Sequence, residues 1–364
     1  MAYLSKTACN DIYETWTKII RYICGDSSTA GKDWQIKRYT VDEDDPHNVQ
    51  YKNYSGTLTN ITLDTPIELP TISVEEETFT YNDNTLEEGT DYTLDRPLGR
   101  VTFLSGGSVP NGADVDYSYK FKRAEYVLYN TDGSEEVVIK MKFQIWEQET
   151  EAHIRLGAAY SIDDSGNLTL ENDTNFAISF WNNPNNLWIF SNQRRVIVVV
   201  ESEGFYSIGY AGLTLRLCLP DEYKYPLVLT GSHRCKYDYS EAWWHDEQGK
   251  AYFPLHRGYA YFNDTATWYV IDEYACYRVQ PYVQLKTDSS IQINYPSGFP
   301  KFFYPIIVAP SWDYLVGAYQ GIYYVPASDF TSETTITDTE GHSYIVFPSV
   351  YRNDHRFWHA ILEE

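Results

Sequence analysis

The stretch NLWIFSNQRRVIVVVESEGFYSIGYAGL, Asn186–Leu213, decides how this chain is read. The pair Arg194–Arg195 opens a β-branched run, Val196–Val200, and a Ser202–Gly204 turn leads into a second run carrying Tyr206 and Tyr210. The pattern predicts a hairpin: an apolar strand buried on both sides, turned at Glu203–Gly204 and returning through the two tyrosines. Strand alternation sends Arg194 and Arg195 to opposite sides. The one facing the packed side needs a carboxylate or carbonyl partner, and the other reaches solvent or a neighbour. The run is far below the ~20 apolar residues that span a bilayer, so no membrane segment is expected here.

Composition points the same way. The 364 residues include 34 Tyr but only 2 Met, and 16% are aromatic. Tyrosine suits half-buried strand surfaces and wet interfaces, so the chain leans towards β structure and towards assembly. Its 51 Asp and Glu against 28 Lys and Arg give a formal charge of −23, with no basic patch to neutralise phosphates. Specific nucleic-acid binding is therefore not expected. The N-terminus shows no basic region followed by an apolar stretch, so no signal peptide is expected. Cys9, Cys24, Cys218, Cys235 and Cys276 have no paired CxxC spacing, which fits reduced thiols in a reducing cytoplasm.

Outward from the hairpin, the expected fold class is mostly β. Ile12, Trp16, Ile19, Ile20 and Ile23 recur at helical spacing, predicting an N-terminal helix over about residues 7–24 that Gly25 stops. From 55 to 121, short alternating runs are separated by turns at Asn82–Asn84, Glu88–Gly89, Pro97–Gly99, Gly106–Gly107 and Asn111–Gly112. That texture predicts a small antiparallel, immunoglobulin-like β-sandwich. Val137, Ile139, Met141, Phe143 and Ile145 then alternate along a long strand after a DGSEE turn, so the sandwich reads as an insertion. Its host is a larger β-rich domain made of residues 1–54 and 122–364. Further strands are expected at YPLVLTGS, GYAYF, TWYVID, VQPYVQLK and IQINYP, followed by a C-terminal strand, a hairpin turning at Thr339–Gly341 and a final strand.

No constellation commits to chemistry. His233, Cys235, His245 and His256 match no closed zinc pattern and read as loop or interface residues, so no metal is expected. The Ser202–Gly204 and Thr230–Ser232 turns lack the nucleophile-elbow context, and no P-loop or dinucleotide fingerprint occurs, so neither a catalytic residue nor a cofactor is expected. Trp243 and Trp244 beside Glu241, Asp246 and Glu247 would make an acid and aromatic platform for a sugar, or else a solvated loop with packed tryptophans.

Two segments carry a resemblance. One is FWNNPNNLWIFSNQRRVIVVVESEGFYSIGYAGLTLRLCLPDEYKYPLVLTGSHR, with its aromatic-rich strand into RRVIVV and its Tyr206, Tyr210, Gly212 run. The other is the C-terminal GIYYVPASDFTSETTITDTEGHSYIVFPSVYRNDHRFWHAI. Both are similar to virion structural proteins of tailed bacteriophages, and the insertion resembles small GTDYT…GxVTF modules of phage tail and neck proteins. The resemblance implies a non-enzymatic structural part of a contractile-tailed phage, at the neck, collar or head–tail junction, or in the tail. It would be assembled in the host cytoplasm as a homo-oligomer, with connector, tail terminator, sheath or baseplate proteins as partners. A baseplate or collar-fibre protein binding host-surface carbohydrate is the alternative. Structural or interface candidates are Arg194, Arg195, Tyr206, Tyr210, Trp243 and Trp244.

Overall fold

A computed structural model describes residues 2–25, 34–42, 51–133, 135–145, 149–216, 227–231, 233–234, 258–262, 267–270, 304–308, 317–325, 330–348 and 358–363. In chain order it begins with β1 (Ala2–Cys9), α1 (Ile12–Cys24) and β2 (Gln35–Val41). Next come β3 (Tyr51–Leu58), β4 (Ile67–Glu68), β5 (Val74–Tyr81), β6 (Asn84–Thr85), β7 (Tyr92–Asp95), β8 (Arg100–Phe103) and β9 (Val115–Lys122). These are followed by β10 (Ala124–Thr131), β11 (Glu136–Ile145), β12 (Glu151–Ala159), β13 (Ser161–Ile162), β14 (Leu168–Thr169), β15 (Asn172–Trp181) and β16 (Asn185–Ser191). The hairpin is β17 (Arg195–Ser202) and β18 (Phe205–Leu213), after which come β19 (Leu215–Arg216), β20 (Leu227–Gly231), β21 (His233–Arg234), β22 (Gly258–Phe262) and β23 (Thr267–Val270). The last strands are β24 (Tyr304–Val308), β25 (Gly317–Val325), β26 (Thr335–Thr337), β27 (Ser343–Phe347) and β28 (Trp358–Leu362).

The protein is mostly β, and α1 is the one helix among the described residues. Asp11 caps it, its Oδ1 accepting from the Glu14 N–H at 2.8 Å. The helix starts later than the pattern predicts: residues 7–9 belong to β1, which pairs antiparallel with β16 up to Cys9↔Asn185. Alternation and helical periodicity overlap at this junction, and the pairing partner needed to separate them lies in the middle of the chain. The apolar stripe Ile12, Trp16, Ile19, Ile20, Ile23 is fully buried, with the Trp16 ring stacked on Phe143 at 5.2 Å.

Two large antiparallel sheets face each other across this helix-lined core. One has the order β1, β16, β17, β18, β20, β22, β23, and the other β2, β10, β11, β12, β15, β21. Val137, Ile139, Met141, Phe143 and Ile145 of β11 meet Val196, Val198 and Val200 of β17 in one buried cluster. A third sheet, β19, β25, β28, β27, β26, gathers the C-terminal strands, with β26 and β27 joined around Gly341 at φ 93°.

Strands β3 to β9 build two smaller sheets, β3, β9, β5, β6 and β4, β8, β7, around a separate cluster that includes Phe79, Tyr92, Val101, Phe103 and Tyr119. Their ladder begins before residue 55, since Tyr51 already pairs with Lys122. Asn82 and Asp83, at φ 50° and 63°, make the two-residue turn between β5 and β6. The Arg21 side chain of α1 grips this unit by donating to the carbonyls of Leu98, Leu69 and Gly99, each at 2.9 Å. Tyr126 Oη adds a bond to Pro97 O at 2.8 Å. Gly99 sits at φ 60°, and a Cβ there would stand 2.0 Å from Thr71 O, so the grip needs glycine.

The expected strands at VQPYVQLK and IQINYP lie outside the described residues.

Candidate functional site at the central hairpin

The Asn186–Leu213 stretch forms β16, β17 and β18 in continuous antiparallel register, from Asn185↔Ser202 on one side and Ser202↔Phe205 on the other. Glu203 and Gly204, at φ 53° and 84°, make the two-residue turn. One face of the hairpin carries Val196, Val198 and Val200 into the core shared with α1 and β11. Gly209 lies on this side, where an added Cβ would approach Ile178 Cγ1 to 2.5 Å, so a bare backbone lets the two sheets come together.

The opposite face packs on the C-terminal sheet through aromatic contacts. Trp188 meets Phe347 at 5.1 Å, Tyr206 meets Phe347 at 5.8 Å, and Tyr210 meets Tyr319 edge-on at 4.8 Å. Tyr210 donates from its hydroxyl to Leu213 O at 2.5 Å and accepts from Gln320 N–H at 3.3 Å. Burial raises its pKa to about 12, with Arg195 pulling the other way, so it stays a neutral donor. Tyr206 donates to Glu333 Oε1 at 2.8 Å, and the other oxygen of that carboxylate takes Lys6 Nζ of β1 at 2.7 Å. Glu333 thus ties β1, β18 and the C-terminal segment together, and it does so from φ 64°. Burial and the Glu333 contact push the Tyr206 phenol well up.

Arg195, the first residue of β17, is on the packed side and has the carbonyl partner expected of it, whereas Arg194 lies in the turn before the strand and meets carboxylates of its own chain rather than solvent or a neighbour. Arg194, the more exposed of the two, takes the carboxylates: it pairs with Asp132, and with Glu135 at 3.0 Å, both in the β10–β11 turn. Arg195 is fully buried and donates from Nη1 to Phe190 O at 3.3 Å. Its guanidinium lies over the backbone of Gly321, where a Cβ would be 2.2 Å from Nη2. Burial lowers its pKa to about 10 while Tyr210 and Tyr323 support the charge, so it remains a cation at neutral pH. A second buried group, His359 on β28, is pushed down to about 3 by burial and is neutral there.

Trp243, Trp244, Glu241, Asp246, Glu247, Cys235, His245 and His256 lie outside the described residues; the backbone of His233 belongs to β21. Among the described residues no three His, Cys, Asp or Glu side chains converge as a metal site. A grouping of hydrolase-type residues does occur, with Glu151 Oε1 3.5 Å from His153 Nε2 and His153 Nδ1 2.8 Å from Ser179 Oγ. Ser179 is only 2% exposed, so no substrate reaches its hydroxyl in this arrangement. It serves as a cross-strand polar pair between β12 and β15.

The arrangement is therefore a clasp in which the hairpin is held on both faces. Sequence reasoning found Arg194, Arg195, Tyr206 and Tyr210 but not Glu333, Lys6, Gly321 or Phe347. Their roles depend on long-range contact, although the Gly in GIYY and the lone acid in TSETT are weak local signals. No protein-family model matches this chain, and no curated protein matches its sequence.

Proposed function

We propose that this protein is a structural component of a tailed-bacteriophage virion, placed at the neck, collar or head–tail junction or in the tail, and working through its subunit interfaces. One observation carries the reading. The two segments that resemble virion proteins, far apart in the chain, pack on each other as one unit through Trp188–Phe347, Tyr206–Phe347 and Tyr206–Glu333. A resemblance carried by two distant pieces that form a single spatial body is what a shared structural core would leave behind. The charge of −23 suits a wall that DNA passes without adhering. Connector, tail terminator, sheath or baseplate proteins are the partners this role implies, with several copies arranged by the symmetry of the tail. Immunogold labelling of purified particles tests it. Regular label at the neck or tail is expected, and particles free of the protein by labelling and by mass spectrometry would overturn it.

A further inference from the structure

The described residues include three long strands at sheet edges near the N-terminus, and they differ in how they are protected. Strand β1 is interrupted by a bulge between Leu4 and Thr7, and its Lys6 is held by Glu333. Strand β2 carries the adjacent cations Lys37 and Arg38. Bulges and charges of this kind are how natural edges avoid pairing with other chains. Strand β3 has no bulge and only one charge, Lys52. Its eight residues, YKNYSGTL, pair one to one with β9 from Tyr51↔Lys122 to Leu58↔Val115, without a break and without proline.

No described strand lies on the far side of β3. Every second residue of a paired strand turns its N–H and C=O away from its neighbour, so this edge holds a row of backbone groups that no described strand pairs. Gly56, which has only backbone to expose, is itself exposed, as are Tyr51, Asn53, Ser55 and Thr57. The single charge, Lys52, is turned onto the ring of Tyr13 at 4.1 Å.

We propose that β3 is a docking edge for a second copy of this chain, with the two β3 strands pairing antiparallel about a two-fold axis. Charge selects this occupant. Two chains of −23 repel each other least where the surfaces that touch carry no acid, and β3 is a long edge with no acidic residue at all. A basic partner strand would be drawn to an acidic edge, which β3 does not offer. Antiparallel pairing of identical strands is self-complementary. It would place Tyr, Asn, Ser and Thr side chains opposite one another, pairs that stabilise a sheet and set no like charges face to face. Two four-stranded sheets would then run on as one. The inference stands apart from the virion reading, since it concerns the isolated chain.

Sedimentation velocity of the full chain over a concentration series, with hydrogen exchange followed on the peptide covering residues 51–58, tests it. We expect a monomer–dimer equilibrium in which β3 amides exchange more slowly in the dimer. Added salt should strengthen the dimer by screening the self-repulsion. The double variant Asn53→Asp, Ser55→Asp, at two exposed positions, should weaken association by roughly tenfold or more with the melting temperature unchanged. A chain that stays monomeric at every concentration would overturn the proposal. So would a dimer whose β3 amides exchange as fast as the monomer's, which needs no variant to detect.

Discussion

Strands β9 and β17 are both eight residues long, yet β9 alternates buried and less buried side chains while every residue of β17 except Glu201 is buried. The difference follows from what lies on each side. Strand β9 has the small core around Phe79 and Tyr119 on one face and an open, ion-paired surface on the other, where Lys120 and Lys122 meet Glu76. Strand β17 lies between two packed layers, the α1 and β11 core and the C-terminal sheet. The two regions also treat arginine differently. In the small unit Arg96 remains at the surface between Glu77 and Glu88, whereas Arg195 is sealed inside the clasp against carbonyl oxygen and tyrosine rings. A strand with one wet face tolerates change on that face; a strand with none does not.

The comparison breaks most sharply at Val198. Placing Asp there buries an unpaired carboxylate at a cost on the order of 5 kcal/mol or more, comparable with the stability of a whole domain. Val198→Asp should therefore fail to yield folded protein by circular dichroism. Thr93→Asp, at an exposed position of β7, should shift stability by less than about 0.5 kcal/mol. A soluble, normally melting Val198→Asp protein would refute the two-sided burial.

Arg195→Ala should be next in size, costing about 3 kcal/mol through the cavity and the carbonyl it abandons, read as a fall in denaturation midpoint. Gly209→Ala should cost about 2 kcal/mol by overpacking against Ile178 and Leu156. Neither loss should change when salt is raised, because both sites are dry.

His359 gives the comparison a pH axis, since residues 51–122 contain no histidine. Its folded pKa of about 3 lies below the ordinary 6.5, so the unfolded chain takes up the proton first. Stability is fully present above pH 6.5 and is lost as pH falls towards 3, by roughly 1 kcal/mol per pH unit. Urea unfolding at pH 7, 6, 5 and 4 should show this slope, and His359→Phe should flatten it. Within the clasp the smallest effect belongs to Arg194→Ala. Its partly buried pairs with Asp132 and Glu135 should cost about 1 kcal/mol, and less at high salt.

Much of the local structure was legible in the residues themselves. The helix stripe, the Glu203–Gly204 turn, the alternation of β11 and the small turns at Asn82–Asn84 and Gly99 all follow from local patterns of side chains and glycines. Those patterns depend on neighbours two to four positions away. The start of α1 is not legible locally because β1 is defined by β16, and the start of the β3 ladder is not because Tyr51 gains its meaning only opposite Lys122.

Of the clasp, the sequence alone determined that Arg194 and Arg195 must separate and that Tyr206 and Tyr210 share the returning strand. Only the tertiary structure decided which arginine is buried, and that Glu333, Lys6, Gly321 and Phe347 complete the site. Alternation is a property of the backbone and is fixed by position along the strand. Which side is dry depends on what a distant segment brings to it, and a continuous run such as Val196–Val200 carries no mark of which face that will be.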